Sequence, residues 1–216
     1  MIRVAVLNGG HPYDVPGFHA LFRGLKGIDP YLQHMDDYAA SSPETRASYD
    51  TVVFFHFLQD VPGQPAAPFA GNHRQALEDL FASGKGFVVW HHALLCYSNW
   101  PVWDDIVGAR QRLETAKAFV GESIRVEIAD PRHPIMRGLK PWTMTDETYT
   151  MTETEPSSHA LLTVECPRSI RTIGWTRTFG NCRVFDFQPG HDPVAWSNRS
   201  FREVLRRGIL WCAKKL

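Results

Sequence analysis

Residues 84–93 read GKGFVVWHHA, and their order decides the fold. Residues 87–90 are all apolar, which marks a short strand buried on both faces rather than one with a solvated side. His91 and His92 follow at once, where a buried parallel strand hands over to a helix. Two runs of the same kind come earlier: residues 2–7, closed by Asn8-Gly9-Gly10, and residues 51–57, TVVFFHF. Between the second run and GFVVW, Leu77, Leu80 and Phe81 fall at helical spacing after Asn72, a residue suited to capping a helix start. Strand, helix, strand with buried strands is the βαβ unit. Its crossover is right-handed, and its ligands gather beyond the carboxyl ends of the strands. The expected class is therefore α/β, a mostly parallel sheet with helices on both faces, and 216 residues suit one domain over 1–216.

Toward the carboxyl end, residues 172–175 and 183–187 read as strands paired around Gly180-Asn181. The last segment is strongly periodic. Phe201, Val204, Leu205, Gly208, Ile209 and Cys212 share one helical face, Ser197 or Asn198 can cap its start, and Lys214 and Lys215 suit its negative end. Residues 110–167 are less regular. Short pieces at 124–128 and 161–164, separated by Pro-containing turns, predict extra strands and loops. Residues 61–71 hold three prolines and two glycines, so they read as a surface loop on the ligand rim, able to form part of a lid. His133-Pro134-Ile135 reads as a turn, and residues 101–105, PVWDD, as a helix start with Pro and early acids.

Composition removes several classes. Hydrophobic residues make up 44% and charged ones 21%, so a packed core is expected. Lys plus Arg and Asp plus Glu each count 23, and without a basic run nucleic acid is not an expected partner. The first apolar run is too short for a signal-peptide core and no run approaches a membrane span, which points to the cytoplasm and away from membranes. The four cysteines, Cys96, Cys166, Cys182 and Cys212, form no C-x-x-C pair, so reduced structural thiols are expected rather than a zinc knuckle or redox dithiol.

Four places carry chemistry. His91 and His92 sit at a strand-to-helix turn, where an imidazole can act as a base near neutral pH or as a metal ligand. Gln188-Pro189-Gly190-His191-Asp192 again follows an apolar strand, and Gly190 allows a backbone that turns His191 toward a cleft. Asp192 either joins that site or bonds its own turn backbone. Thr145-Asp146-Glu147-Thr148-Tyr149 sets two carboxylates and a phenol together, as base or ligand or as solvated loop acids. Asn8-Gly9-Gly10-His11-Pro12-Tyr13-Asp14 places His11 and Asp14 on the same rim, although turn chemistry also accounts for them.

Taken in order, HPYD, GKGFVVWHHALLCY, HPIMRGL followed by DETY, and GNCRVFDFQPGHD before a helix ending GILWCA resemble the ThuA-like family, named for trehalose utilisation. The resemblance spans nearly the whole chain. It implies a class I glutamine amidotransferase-like fold, with a flavodoxin-type sheet between helices. True amidotransferases of that fold carry a cysteine at the elbow after the central strand; His91 or His92 stands there instead, with Cys96 about one turn further on, so thiol-based glutamine hydrolysis is not expected. The resemblance carries over His91, Glu147 and His191 as catalytic residues or as ligands of a divalent metal, zinc or manganese. His11, Asp14, His92, Tyr149 and Asp192 are the expected substrate contacts.

Two functions follow. The first is an enzyme on a trehalose-related glycoside or keto-sugar, with His91, Glu147 and His191 around a metal or a substrate carbonyl and proton transfer as its core step. The second is a non-catalytic carbohydrate-binding or regulatory protein that keeps the fold. Trp90, Trp100, Trp103 and Tyr149 either stack on a sugar or pack the core. A homo-oligomer is also expected. One site requires the tips of His91, Glu147 and His191 to lie about 3–5 Å apart.

Overall fold

The computed structural model describes residues 1–63 and 70–216; part of the lid expected at 61–71 therefore lies outside the described residues. Nine strands form one sheet. In spatial order they are β2 (Ile28–His34), β1 (Ile2–Asn8), β3 (Thr51–Phe54), β4 (Phe87–Trp90), β9 (Cys182–Phe187), β8 (Thr172–Phe179), β7 (His159–Val164), β5 (Lys117–Ile128) and β6 (Trp142–Thr150).

The five strands from β2 to β9 run parallel, and the four pairings from β9 to β6 are antiparallel. The sheet thus has the parallel half that the apolar runs predicted, extended by an antiparallel one. The reason is connection length. A parallel neighbour needs a crossover of a dozen or more residues, whereas β8 and β9 are joined by Gly180-Asn181 alone, with Gly180 at φ +54°, and must fold back as a hairpin. The third strand also stops at Phe54 rather than Phe57, because its neighbours end there; the chain continues extended, with Phe55 N and Phe57 N donating to Leu7 O and Gly9 O.

Helices cover both faces. On one side α1 (Val15–Arg23), α6 (Pro193–Ser197) and α7 (Arg199–Cys212) pack together and against β4 and β9. The face of α7 named from its periodicity is the buried one, and Asn198 caps its start by accepting from Phe201 N. On the other side lie α4 (His73–Ala82), capped by Asn72, and α5 (Pro101–Val107), whose Trp103 packs edge-on to Phe54. Two short helices, α2 (Met35–Ala40) and α3 (Pro43–Ala47), bridge β2 to β3. Val88 and Trp90 meet the α1–α7 side while Phe87 and Val89 meet the other, so all four are fully buried.

The antiparallel half does not stay flat. Three strands separate β9 from β6, yet β6 reaches the end of β9: Gly190 N donates to Asp146 Oδ2, and Gln188 Nε2 to Tyr149 O. The β5–β6 hairpin therefore curls back over the carboxyl ends of the parallel strands. That curl brings the site together.

Candidate active site: a histidine, histidine and glutamate cluster

Directly after β4 the chain turns through His91, whose φ of +54° lies in the left-handed region. A non-glycine residue there stores about 1–2 kcal/mol of strain and is held by its surroundings. His91 is held at both ends. Its ring Nδ1 donates to Gln188 O at 2.7 Å, and its carbonyl accepts from Tyr149 Oη at 2.8 Å. A carbonyl cannot donate, so Nδ1 carries a proton; Nε2 is then the nitrogen turned to the cluster, a lone pair for a metal in the neutral ring and an N–H donor to Glu147 in the protonated one.

That nitrogen faces two groups. His191 Nδ1 lies 3.1 Å from it and Glu147 Oε1 3.6 Å; Glu147 Oε2 lies 3.6 Å from His191 Nδ1. One ligand atom from each residue falls within 4.8 Å of the others. Donors each about 2.0–2.2 Å from a tetrahedral ion stand about 3.3–3.6 Å apart; here the carboxylate turns a different oxygen to each ring, 3.6 Å from it, so small side-chain shifts would close the three donors on one ion. The donor set, two imidazoles and one carboxylate, also suits a zinc or manganese ion. His91 is wholly buried, while the side chains of Glu147 and His191 are 14% and 22% exposed, so a ligand meets the latter two first.

The environment sets the charges. Burial pushes Glu147 up, but the hydrogen bond and charge of His91, with the charges of His191 and His11, outweigh it and hold the carboxyl below its ordinary value. Burial, with His91 beside it, pushes His191 down, against the pull of Glu147 and Asp192. At neutral pH the cluster is an ionised carboxylate with a neutral His191, which is the protonation state ligation requires.

Asp146 was not among the expected site residues, yet its role is plain. Its buried carboxylate accepts from Gly190 N at 2.6 Å and His191 N at 3.0 Å, clamping the turn that carries His191. Neighbouring strand residues point to opposite faces, but Asp146 and Glu147 both serve this site. A register shift in β5 between Phe119 and Glu122 lies directly opposite Glu147. The acids thus lie on a strand rather than in a loop. Gly190, at φ +117°, leaves no room for a Cβ, which would fall 2.5 Å from Trp90 Nε1.

The expected substrate contacts divide. His11 packs its ring on His92 at 4.6 Å and stands 5.8 Å from that of His191, at the mouth of the cluster. His92 is buried, donates Nε2–H to Phe55 O, and is pushed down to about 2 by burial and by the charges of His91 and His11. Tyr149 is buried and supports His91. Asp14 and Asp192 spend carboxylate oxygens on helix starts. Each caps a helix, α1 through Gly17 N and α6 through Val194 N and Ala195 N, because their carboxylates precede unpaired amides. Trp90, Trp100 and Trp103 are core residues. Cys96 is buried beside His56, and burial pushes its thiol far up, so it is no nucleophile.

The sheet order and the helices on both faces are those of a class I glutamine amidotransferase-like fold, with His91 at the strained elbow after β4. The chain matches the family described as ThuA, trehalose utilisation, over residues 10–212, and it belongs to that family. Among solved structures it is similar to a ThuA-like protein from Parabacteroides merdae, with TM-score 0.73 and 17% identity over 98% of this chain and 90% of that one. A cytoplasmic protein from Salmonella typhimurium follows at TM-score 0.64 and 12% identity, covering 96% and 98%. A glutamine amidotransferase from Thermotoga maritima gives 0.53 and 12%, covering 99% and 98%. No curated protein matches. Among the described residues no helix is long and apolar enough to cross a membrane.

Proposed function

We propose that this protein is an enzyme of sugar utilisation that transfers a proton on a trehalose-related glycoside or keto-sugar, at a divalent metal held by His91 Nε2, His191 Nδ1 and Glu147. The observation that carries this reading is the hydrogen bond from His91 Nδ1 to Gln188 O, which turns His91 Nε2 toward the other two donors. Membership in the trehalose-utilisation family supports the sugar class. A bound zinc or manganese ion would supply a Lewis acid able to polarise a sugar carbonyl.

The chain's own groups do the rest. Glu147 is ionised and has two oxygens, so it can hold a ligand position with one and accept a proton at the other. His11 is the free imidazole at the mouth. Its Nδ1 donates to Pro12 O at 2.7 Å, so Nε2 is the ring nitrogen left for a substrate. Asp146 keeps the turn of His191 in place while this happens.

The test is metal analysis of purified protein, paired with exchange of the hydrogen next to the carbonyl of a keto-glucoside in D2O, followed by NMR. About one ion per chain and exchange above the spontaneous rate are expected, with His91→Ala and His191→Ala each losing at least tenfold in both. Absence of both metal and catalysed exchange would sink the proposal. Sugar binding without either would move the protein to the non-catalytic reading.

A further inference from the structure

Three buried residues at the elbow close a circle of hydrogen bonds on one another. His91 gives its ring Nδ1–H to Gln188 O at 2.7 Å, Gln188 gives its side-chain Nε2–H to Tyr149 O at 2.8 Å, and Tyr149 gives its hydroxyl to His91 O at 2.8 Å. Each side chain thus donates to the backbone carbonyl of the next residue, across 97, 39 and 58 positions of sequence. None of the three is more than 1% exposed. A carbonyl only accepts, so each proton in the circle has one place. The Gln188 amide is fixed in the same way, because its Oε1 accepts from the Ser169 hydroxyl at 3.1 Å.

The circle ties together the ends of three strands. His91 follows β4 and Gln188 follows β9, its neighbour, whereas Tyr149 stands in β6 at the far edge of the sheet. Its effect falls on His91, whose backbone is strained at φ +54°. The bond to Gln188 O orients the imidazole, and the bond from Tyr149 Oη holds the carbonyl of the strained residue. Neither the Gln188 amide nor the Tyr149 hydroxyl bonds Glu147 or His191, so both act on the cluster through His91 alone.

A closed circle differs from three separate contacts. Once one bond is gone, the groups that remain are tethered from one side only, so the first loss costs most of what the circle provides. Buried networks of this kind are worth more than the sum of their pairs, and a double-mutant cycle measures the difference.

We propose that Gln188 and Tyr149 are positioning residues for His91, acting with it as one unit that keeps Nδ1 on Gln188 O and Nε2 toward Glu147 and His191. The consequence for metal affinity rests on the function proposed above, where partners behind a ligand are worth about 10–100-fold. The circle itself does not rest on it.

Long-range nitrogen–proton NMR of the metal-stripped full chain with labelled histidine tests this at about pH 8, above the ordinary histidine value. His91→Ala assigns the signals. Wild type should show His91 in the Nδ1–H form alone, with that proton protected from exchange. Gln188→Met and Tyr149→Phe should each speed the exchange at least tenfold, and the double variant should stay within twofold of the faster single one. Gln188→Met keeps the side-chain length and leaves no carbonyl bare, since Tyr149 O also accepts from Ile170 N at 3.2 Å. Amide protection in β1 to β3 should match wild type and checks the fold. Where a substitution also loosens those strands, Ser169→Ala decides, since it frees the same amide from a half-buried position and should speed His91 exchange at least threefold. Wild-type exchange in Gln188→Met or Ser169→Ala, or single effects that multiply in the double variant, would overturn the proposal. A coupled circle in a chain that takes up no zinc would uphold it and sink the metal reading instead.

Discussion

At the scale of single residues, the environment of each histidine decides what it can do, and the ten histidines of this chain divide accordingly. His91 has its Nε2 turned to the cluster by one carbonyl, and His92, one position on, is neutralised by burial. His56 is fully enclosed. Burial, with the charges of His73 and His34, pushes it down to about 3. Below pH 6.5 the unfolded chain takes up a proton at this residue and the folded chain does not, so its contribution to stability is complete above pH 6.5 and is lost as pH falls toward 3. Between about pH 6.5 and pH 5 the loss should be about 2 kcal/mol. Urea unfolding of His56→Asn should show a pH-dependent loss smaller than wild type by that amount. Equal losses would show that His56 is not the group responsible. None of these distinctions is legible in the letters HH or HF, because a residue's neighbours across the fold set its proton.

At the scale of elements, α7 shows how far periodicity carries. Its six core positions were legible because a helix on a sheet must be apolar at every third or fourth residue. Gly208 is the exception in character. Alanine there would favour the helix by about 1 kcal/mol, but its Cβ would fall 2.1 Å from Phe185 Cδ1, and that ring is fully buried. Overpacking costs about 1–3 kcal/mol, and a clash this close with a fully buried ring belongs to the upper half of that range, so after the helix gain Gly208→Ala should lose about 1–2 kcal/mol net. In a chain of this size that lowers Tm by roughly 2–8 °C. An unchanged or raised Tm would mean that Phe185 has room to move. By contrast, the register shift in β5 opposite Glu147 has no local signature beyond Gly121, at φ +77°.

At the scale of the whole molecule, the site exists because an antiparallel half folds back on a parallel one. Asp146 is the link, joining β6 to the turn after β9 across 44 residues of chain. Asp146→Asn removes the charge and half the acceptor capacity, so the amides of Gly190 and His191 should exchange with deuterium at least tenfold faster, with β1 to β4 unchanged. Uniform protection in the variant would show that the curl is held by packing alone. The parallel half and the positions of His91 and His191 were determined by the sequence itself, since buried strands need continuous apolar runs and such strands present their next residues at the carboxyl rim. That Glu147 meets those histidines and that Asp14 and Asp192 are occupied as caps were decided by the tertiary structure alone. Periodicity is a local signal, and which strand end meets which is settled by non-local pairing and the curl of the finished sheet.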